Sequence, residues 1–259
     1  MPPRGHAGFA RVPVPVARAS VCNDRSRRNL RNGGMTTSGV SERRLQRKLI
    51  AWWALVGTLA VLGFAAQASD EEPVEDVLYR YSTFVFGSLF YLLILGVILV
   101  IAAGIARRDA FALRRPTSWR LAGGLSLGLL VTLLIVASLL EPLFGAGEEQ
   151  GLDPTGWDSS RWPAFVLNAF VTAVLGPIVE ELLFRGIGFY LLAQFGEVAA
   201  IVVTAIAFAL THGILVGVPI FFIIGVGLGF IRSRTKSIYP PVLLHSAFNG
   251  IALIGGLLN

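Results

Sequence analysis

Apolar residues gather into long runs separated by short charged stretches, and this pattern predicts helices that cross a membrane. The first run is LIAWWALVGTLAVLGFAAQA, residues 49–68. Further runs cover about 83–106, 121–140, 163–193, 198–215, 218–231 and 238–258. A helix rising about 1.5 Å per residue needs roughly 20 apolar residues to cross a hydrocarbon layer of about 30 Å. The expected fold is therefore all-α, a polytopic transmembrane bundle of about seven spans, with the fifth and sixth the shortest and least sharply bounded. No period-two alternation points to a barrel, and open strands would leave backbone groups unpaired in lipid.

Composition sharpens this picture. Of 259 residues 54% are apolar and only 15% charged, which few soluble domains match. The net charge of +6 would suit a nucleic-acid binder, but its basic residues lie in short loops beside apolar runs. Arg43, Arg44, Arg47 and Lys48 precede the first span, Arg107, Arg108, Arg114, Arg115 and Arg120 join the second to the third, and Arg232, Arg234 and Lys236 join the last two. The segments SDEEPVEDVLYR and EPLFGAGEEQGLDPTGWDSSRW hold ten of the sixteen acidic residues and one Arg each. Basic loops stay on the cytoplasmic side, so the N-terminus is expected in the cytoplasm and the C-terminus outside, in the plasma membrane. No nucleic-acid partner is expected; the partner is the bilayer.

Residues 1–34 carry seven Arg and no apolar core of a signal peptide. Residues 1–48 are expected to form a disordered basic tail, and Met35 offers an alternative start that would leave 1–34 untranslated. The lone Cys22 excludes a disulfide framework or a cysteine metal cluster. Three N-terminal helices over 49–140 and a second membrane unit over 163–258 follow. Gly225 with Gly229, and Gly124 with Gly128, are four apart and are expected to let helices pack closely.

Few polar groups remain at membrane depth: Glu180, Glu181 and Arg185 on the fourth span, His212 on the fifth, and His245 and Asn249 on the seventh. Ionisable groups inside a membrane are costly and mark functional sites by default. Glu181 and Arg185 are four apart with the acid N-terminal, the favoured order for an ion pair, and taken alone they read as structural. Glu180 points about 100° away and is free to face other helices. His245 and Asn249 also share a face, and Pro177 is expected to kink the fourth span. A lone His245 fits an interface residue, and a lone His212 fits a hydrogen bond to a neighbouring helix. Together, a carboxylate, two imidazoles and an amide on three spans suit water chemistry: an acid and an imidazole deprotonate water, while an imidazole and an amide stabilise an oxyanion.

These residues stand in three motifs: EELLFR as Glu-Glu-x-x-x-Arg, FALTH (208–212) as Phe-x-x-x-His, and HSAFN (245–249) as His-x-x-x-Asn. In order and separation they resemble the CPBP family, the CAAX-protease and bacteriocin-processing group of intramembrane endopeptidases, over about residues 163–256. The resemblance implies that 163–258 is a catalytic membrane core. In it Glu180 activates the nucleophilic water with His212, His245 and Asn249 form an oxyanion hole, and Glu181 and Arg185 support the first motif. It also implies a peptide or protein substrate with a membrane-proximal or lipidated segment, as in CAAX prenyl proteolysis.

Zinc would need three protein ligands, which Glu180, His212 and His245 could supply, although no His-Glu-x-x-His helix is present. If His245 is an oxyanion donor too few ligands remain, so a metal-free mechanism is favoured and zinc is the alternative. Two other classes also fit: a proton-coupled transporter with a Glu and His relay, and a non-catalytic scaffold or bacteriocin-immunity protein. One difficulty concerns depth. His212 lies about 21 Å into the fifth span, whereas Glu180 lies in the half of the membrane on the side of the basic loops. The two meet only if the hairpin between spans four and five protrudes, or if span five starts deeper.

Overall fold

A computed structural model of the chain describes residues 24–68, 76–144 and 157–258. The tail over 1–23 with Cys22, and most of both acidic segments, lie outside the described residues. Seven long helices follow in order: α1 (Asp24–Gln67), α2 (Tyr81–Ala102), α3 (Trp119–Phe144), α4 (Trp162–Phe195), α5 (Glu197–Thr211), α6 (Val218–Thr235) and α7 (Tyr239–Leu258). The chain divides into one unit over Met1–Arg43 and a second over Arg44–Asn259, and α2 to α7 lie in the second.

Six of these helices are long and apolar enough to cross a membrane, and the protein is an integral membrane protein. The exception is α5, which the apolar run from 198 to 215 suggests as a span. Its 15 residues reach only about 22 Å. It ends early because Gly213 takes a left-handed conformation (φ 74°), a common helix stop. His212 is the last residue before that stop.

The short α5 makes sense beside the long α4. With 34 residues α4 reaches about 51 Å, well beyond the hydrocarbon thickness. Glu180 sits fifteen residues before its end at Phe195, a rise of about 22 Å. The two arms of the hairpin beyond Glu180 are thus equal in length, and α5 brings His212 back level with Glu180. This removes the depth difficulty.

Helix α4 is not uniformly α-helical. Residues Val171–Leu175 and Leu182–Gly188 are π-helical, flanking the α-helical Gly176–Glu181 that carries the two glutamates. Widened turns leave carbonyls without their usual donor, and side chains from three helices meet them. Trp52 of α1, fully buried, donates Nε1–H to Leu183 O at 3.0 Å. Arg232 of α6 donates Nε–H to Arg185 O at 3.1 Å. Asn249 of α7 donates Nδ2–H to Thr172 O at 3.0 Å.

The last bond has a traceable cause. Gly176 N–H bonds Val171 O, five residues back. In that register Thr172 O would be served by residue 177, but Pro177 has no N–H. The expected disturbance by Pro177 is therefore absorbed as an orphaned carbonyl, and Asn249 fills the vacancy.

Packing follows the small residues in part. A Cβ on Gly225 would come within 2.9 Å of Ala205, and one on Gly229 within 3.3 Å of Ile201, so α6 and α5 pack almost backbone to backbone. Gly124 and Gly128 differ from expectation: nothing lies within 4 Å of a Cβ on either. They line a shallow groove with Leu129 and Gly227, and α3 approaches α6 through Gly227 against Leu129 instead. Most remaining large apolar side chains, such as Phe86, Leu93, Val100 and Ile254, are exposed where lipid would cover them.

Candidate active site

Glu181 and Arg185 are both fully buried and pair at 2.9 Å, as their spacing predicts. A second guanidinium N–H of Arg185 reaches Gly225 O at 2.9 Å, a carbonyl exposed by the missing side chain on α6. The guanidinium also lies 4.6 Å from the centre of the Phe208 ring. Breaking such a buried pair strands a charge, so it is a rigid element.

The same Glu181 Oε1 lies 3.0 Å from His245 Nδ1. A carboxylate paired to arginine only accepts, which fixes hydrogen on Nδ1 and turns Nε2 the other way. That Nε2 stands 3.8 Å from Glu180 Oε2. His245 thus spans the two glutamates, with Glu181 orienting its ring toward Glu180.

His212 is held in a similar way. Its Nδ1 is 2.8 Å from Phe208 O, and a carbonyl can only accept, so Nδ1 carries the hydrogen. Nε2 is left as the free lone pair. The ring stacks on Phe221 of α6 with centroids 3.9 Å apart and planes 18° apart. Phe208 packs edge-on against both imidazoles, with centroids 4.6 Å from His212 and 5.6 Å from His245. The turn carrying His212 rests on α1, because Gly63 and Gly213 meet through their backbones with no room for a Cβ on either.

Glu180 and His212 open together into a cavity of about 410 Å³. Its other walls are mainly apolar and come from α1 and α2, among them Leu59, Leu62, Phe90 and Ile94. Leu62 and Phe90 are about half exposed, so the cavity opens toward the lipid side. Tyr91 and Thr211 are the other polar side chains there, and the Tyr91 hydroxyl donates to Glu180 Oε1 at 3.0 Å. Tyr91 sits against Gly176, one turn before Glu180.

The structure therefore brings Glu180, His212 and His245 together, with Glu181 and Arg185 behind them. Asn249 is placed differently. His245 turns to Glu181 while Asn249 turns to Thr172, nine residues earlier on α4. The two do not meet at one point, although they share a face of α7. Phe208 heads the Phe-x-x-x-His motif, whereas Tyr91 and Phe221 shape the site without having been singled out from the sequence. So does Asn168, buried on α4, whose amide reaches Leu78 O and Arg80 O at 2.9 and 3.0 Å and ties down the turn leading into α2. Among the described residues no group of three or more His, Cys, Asp or Glu side chains is arranged to hold a metal ion.

Residues 162–251 match the family model of type II CAAX prenyl endopeptidases, Rce1-like. The chain is 30% identical over 110 residues to the "Membrane-embedded CAAX protease MroQ" of Staphylococcus aureus (strain USA300), covering 38% of this chain and 41% of that protein. It is 28% identical over 121 residues to the "Putative membrane peptidase YdiL" of Bacillus subtilis (strain 168), covering 46% of this chain and 49% of that one. The chain thus spans less than half the length of either relative. No solved structure matches it. Residues 162–251, about a third of the chain, carry all three motifs on α4, α5 and α7, and over them the chain is similar to type II CAAX prenyl endopeptidases.

Proposed function

We propose that the protein is an intramembrane endopeptidase that hydrolyses peptide bonds with a water held between Glu180 and His212, without a metal ion. The carrying observation is the pairing of a carboxylate and an imidazole lone pair on one apolar, lipid-open cavity. Glu180 and His212 Nε2 are both acceptors, so each takes one hydrogen of a water and its oxygen lone pairs turn outward. Glu180 removes a proton as the water oxygen attacks the peptide carbonyl. The same proton passes to the departing amine as the C–N bond breaks.

The oxyanion formed in between needs a donor. His245 serves when Nε2 carries hydrogen while Nδ1–H stays on Glu181, a state in which the imidazolium balances the net charge of −1 left by Glu180, Glu181 and Arg185. Asn249 contributes only through its second N–H, or by releasing Thr172. The orphan Oε2 of Glu181 and Nε of Arg185 remain as unspent polar capacity behind the site.

The apolar cavity suits a substrate presented from the bilayer, and the CAAX-protease names of the family and of one relative point to prenylated or otherwise membrane-tethered peptides. The basic loops favour a site toward the cytoplasmic face of the plasma membrane. A farnesylated, fluorescence-quenched CAAX peptide tests this in proteoliposomes. Glu180→Gln and His212→Ala should each lower kcat by at least about 100-fold with the fold intact, since general-base groups contribute 10²–10⁴. Chelator should leave the wild-type rate unchanged. Cleavage by Glu180→Gln at the wild-type rate, or loss with chelator restored by zinc, refutes the respective half of the proposal.

A further inference from the structure

A second cavity, of about 500 Å³, lies where α6 ends and α5 begins, on the side of the basic loops. Its charged lining is Asp109, Arg114, Glu197, Arg232 and Lys236, three cations against two anions. Two pairs cancel: Arg114 with Asp109 at 3.3 Å and Lys236 with Glu197 at 3.0 Å. Arg232 is left over. It is only 7% exposed, its Nε serves Arg185 O, and its guanidinium lies over Phe189 at 5.0 Å. Among the described residues no carboxylate stands within ion-pair distance of it.

Arg114 adds an independent sign of a missing acceptor. Its Nε–H is buried and has no hydrogen-bond partner. Arg114 and Arg232 moreover line the same cavity. Two guanidinium groups on one cavity, one of them buried and the other with a buried unpaired N–H, make a site for an oxyanion that can accept from both forks. Planar forks match the tetrahedral oxygens of phosphate better than a point charge does. The position, at the end of a spanning helix, is the depth of lipid headgroups.

We propose that this cavity binds a phosphate group, supplied by the headgroup of an anionic phospholipid and bridged by Arg114 and Arg232. Basic pockets between helix ends on the cytoplasmic side are suited to such headgroups. The site is separate from Glu180 and His212, and its existence does not depend on the peptidase reading. Its link to α4 through Arg232 and Arg185 O gives a bound lipid a hold on the π-helical stretch that carries Arg185.

Native mass spectrometry of the full chain in neutral detergent tests the site, with phosphatidylglycerol and phosphatidylcholine added at equal concentration. Wild type should retain one phosphatidylglycerol under conditions that strip phosphatidylcholine. Arg114→Gln, at a half-exposed position, and Arg232→Lys, which keeps the charge but loses the fork, should each lower that occupancy about tenfold, with unfolding temperatures confirming that both are folded. Inorganic phosphate that displaces the lipid keeps the oxyanion site and reassigns its source to free phosphate. Equal retention of both lipids by wild type, or equal phosphatidylglycerol retention by wild type and either folded variant, overturns the proposal.

Discussion

Tyr91 reaches Glu180 only because residue 176 is glycine. A Cβ at that position would stand 2.8 Å from the Tyr91 hydroxyl oxygen and 2.9 Å from Cζ, where ordinary contact begins near 3.4 Å. Gly176→Ala must therefore push the tyrosine outward by about 0.6 Å. Gly176 and Glu180 are four residues apart on one face of α4, so the push also carries the hydroxyl away from the carboxylate. The 3.0 Å bond then lengthens to about 3.6 Å and ceases to be a hydrogen bond. A bond to a charged group is worth about 1.5–3 kcal/mol, which corresponds to roughly 10- to 150-fold in kcat if Glu180 must be held in place for the chemical step. Tyr91→Phe should lose the same amount by removing the hydroxyl alone, with KM little changed. The double variant should lose little more kcat than Tyr91→Phe, because both substitutions act on one bond; the ring carbons, at 2.9 and 3.2 Å from the new Cβ, still have to shift, but no hydroxyl is left to displace. Turnover of the farnesylated reporter, with thermal unfolding as a check on folding, measures all three. Losses that multiply in the double variant, or a Tyr91→Phe enzyme at wild-type kcat, refute a positioning role for Tyr91.

Other expectations concern stability and pH. Arg185→Met leaves Glu181 buried without its cation and should cost about 3–5 kcal/mol in chemical unfolding. Asn249→Ala leaves Thr172 O without a donor and should cost about 1–3 kcal/mol; in a Pro177→Ala background, where residue 177 regains an N–H, the penalty in the same unfolding measurement should shrink. The carboxyl of Glu197 is held below its ordinary value, first by the Ser233 hydroxyl and then by Lys236. Its contribution is therefore complete at neutral pH and is lost as pH falls through the lowered value. Being half exposed, it is worth under about 1 kcal/mol, and Glu197→Gln should flatten the acid limb of a stability profile by no more than that.

Much of the site can be read from spacing alone. The four-residue interval set the Glu181–Arg185 pair, and the adjacent position of Glu180 turned it to another face. The motifs on three helices indicated which side chains would gather. The gathering itself needed lengths that hydropathy does not supply, because an apolar run does not show that Gly213 stops α5 early or that α4 overshoots the membrane. Tyr91 was invisible for a different reason: one tyrosine in an apolar span looks like any interfacial or core aromatic until its neighbour is known to be Gly176. The partner of Asn249 is a backbone carbonyl, and no side-chain pattern can announce that. The assignment of Gly124 and Gly128 to helix packing failed because small-residue spacing marks where a helix can approach, not that one does.

The π-helical stretches of α4 have a consequence for how the site can change over sequence time. A widened turn holds one more residue than the α-helix would need, so the stretches on either side stay in phase across it. Removing a single residue within 171–175 would let that turn close into the α register, and Glu180 would keep its direction relative to Asn168 and the turn it anchors. In an unbroken α-helix the same deletion would turn everything beyond it by about 100°. The widened turn thus gives the chain one residue to lose without moving its glutamates.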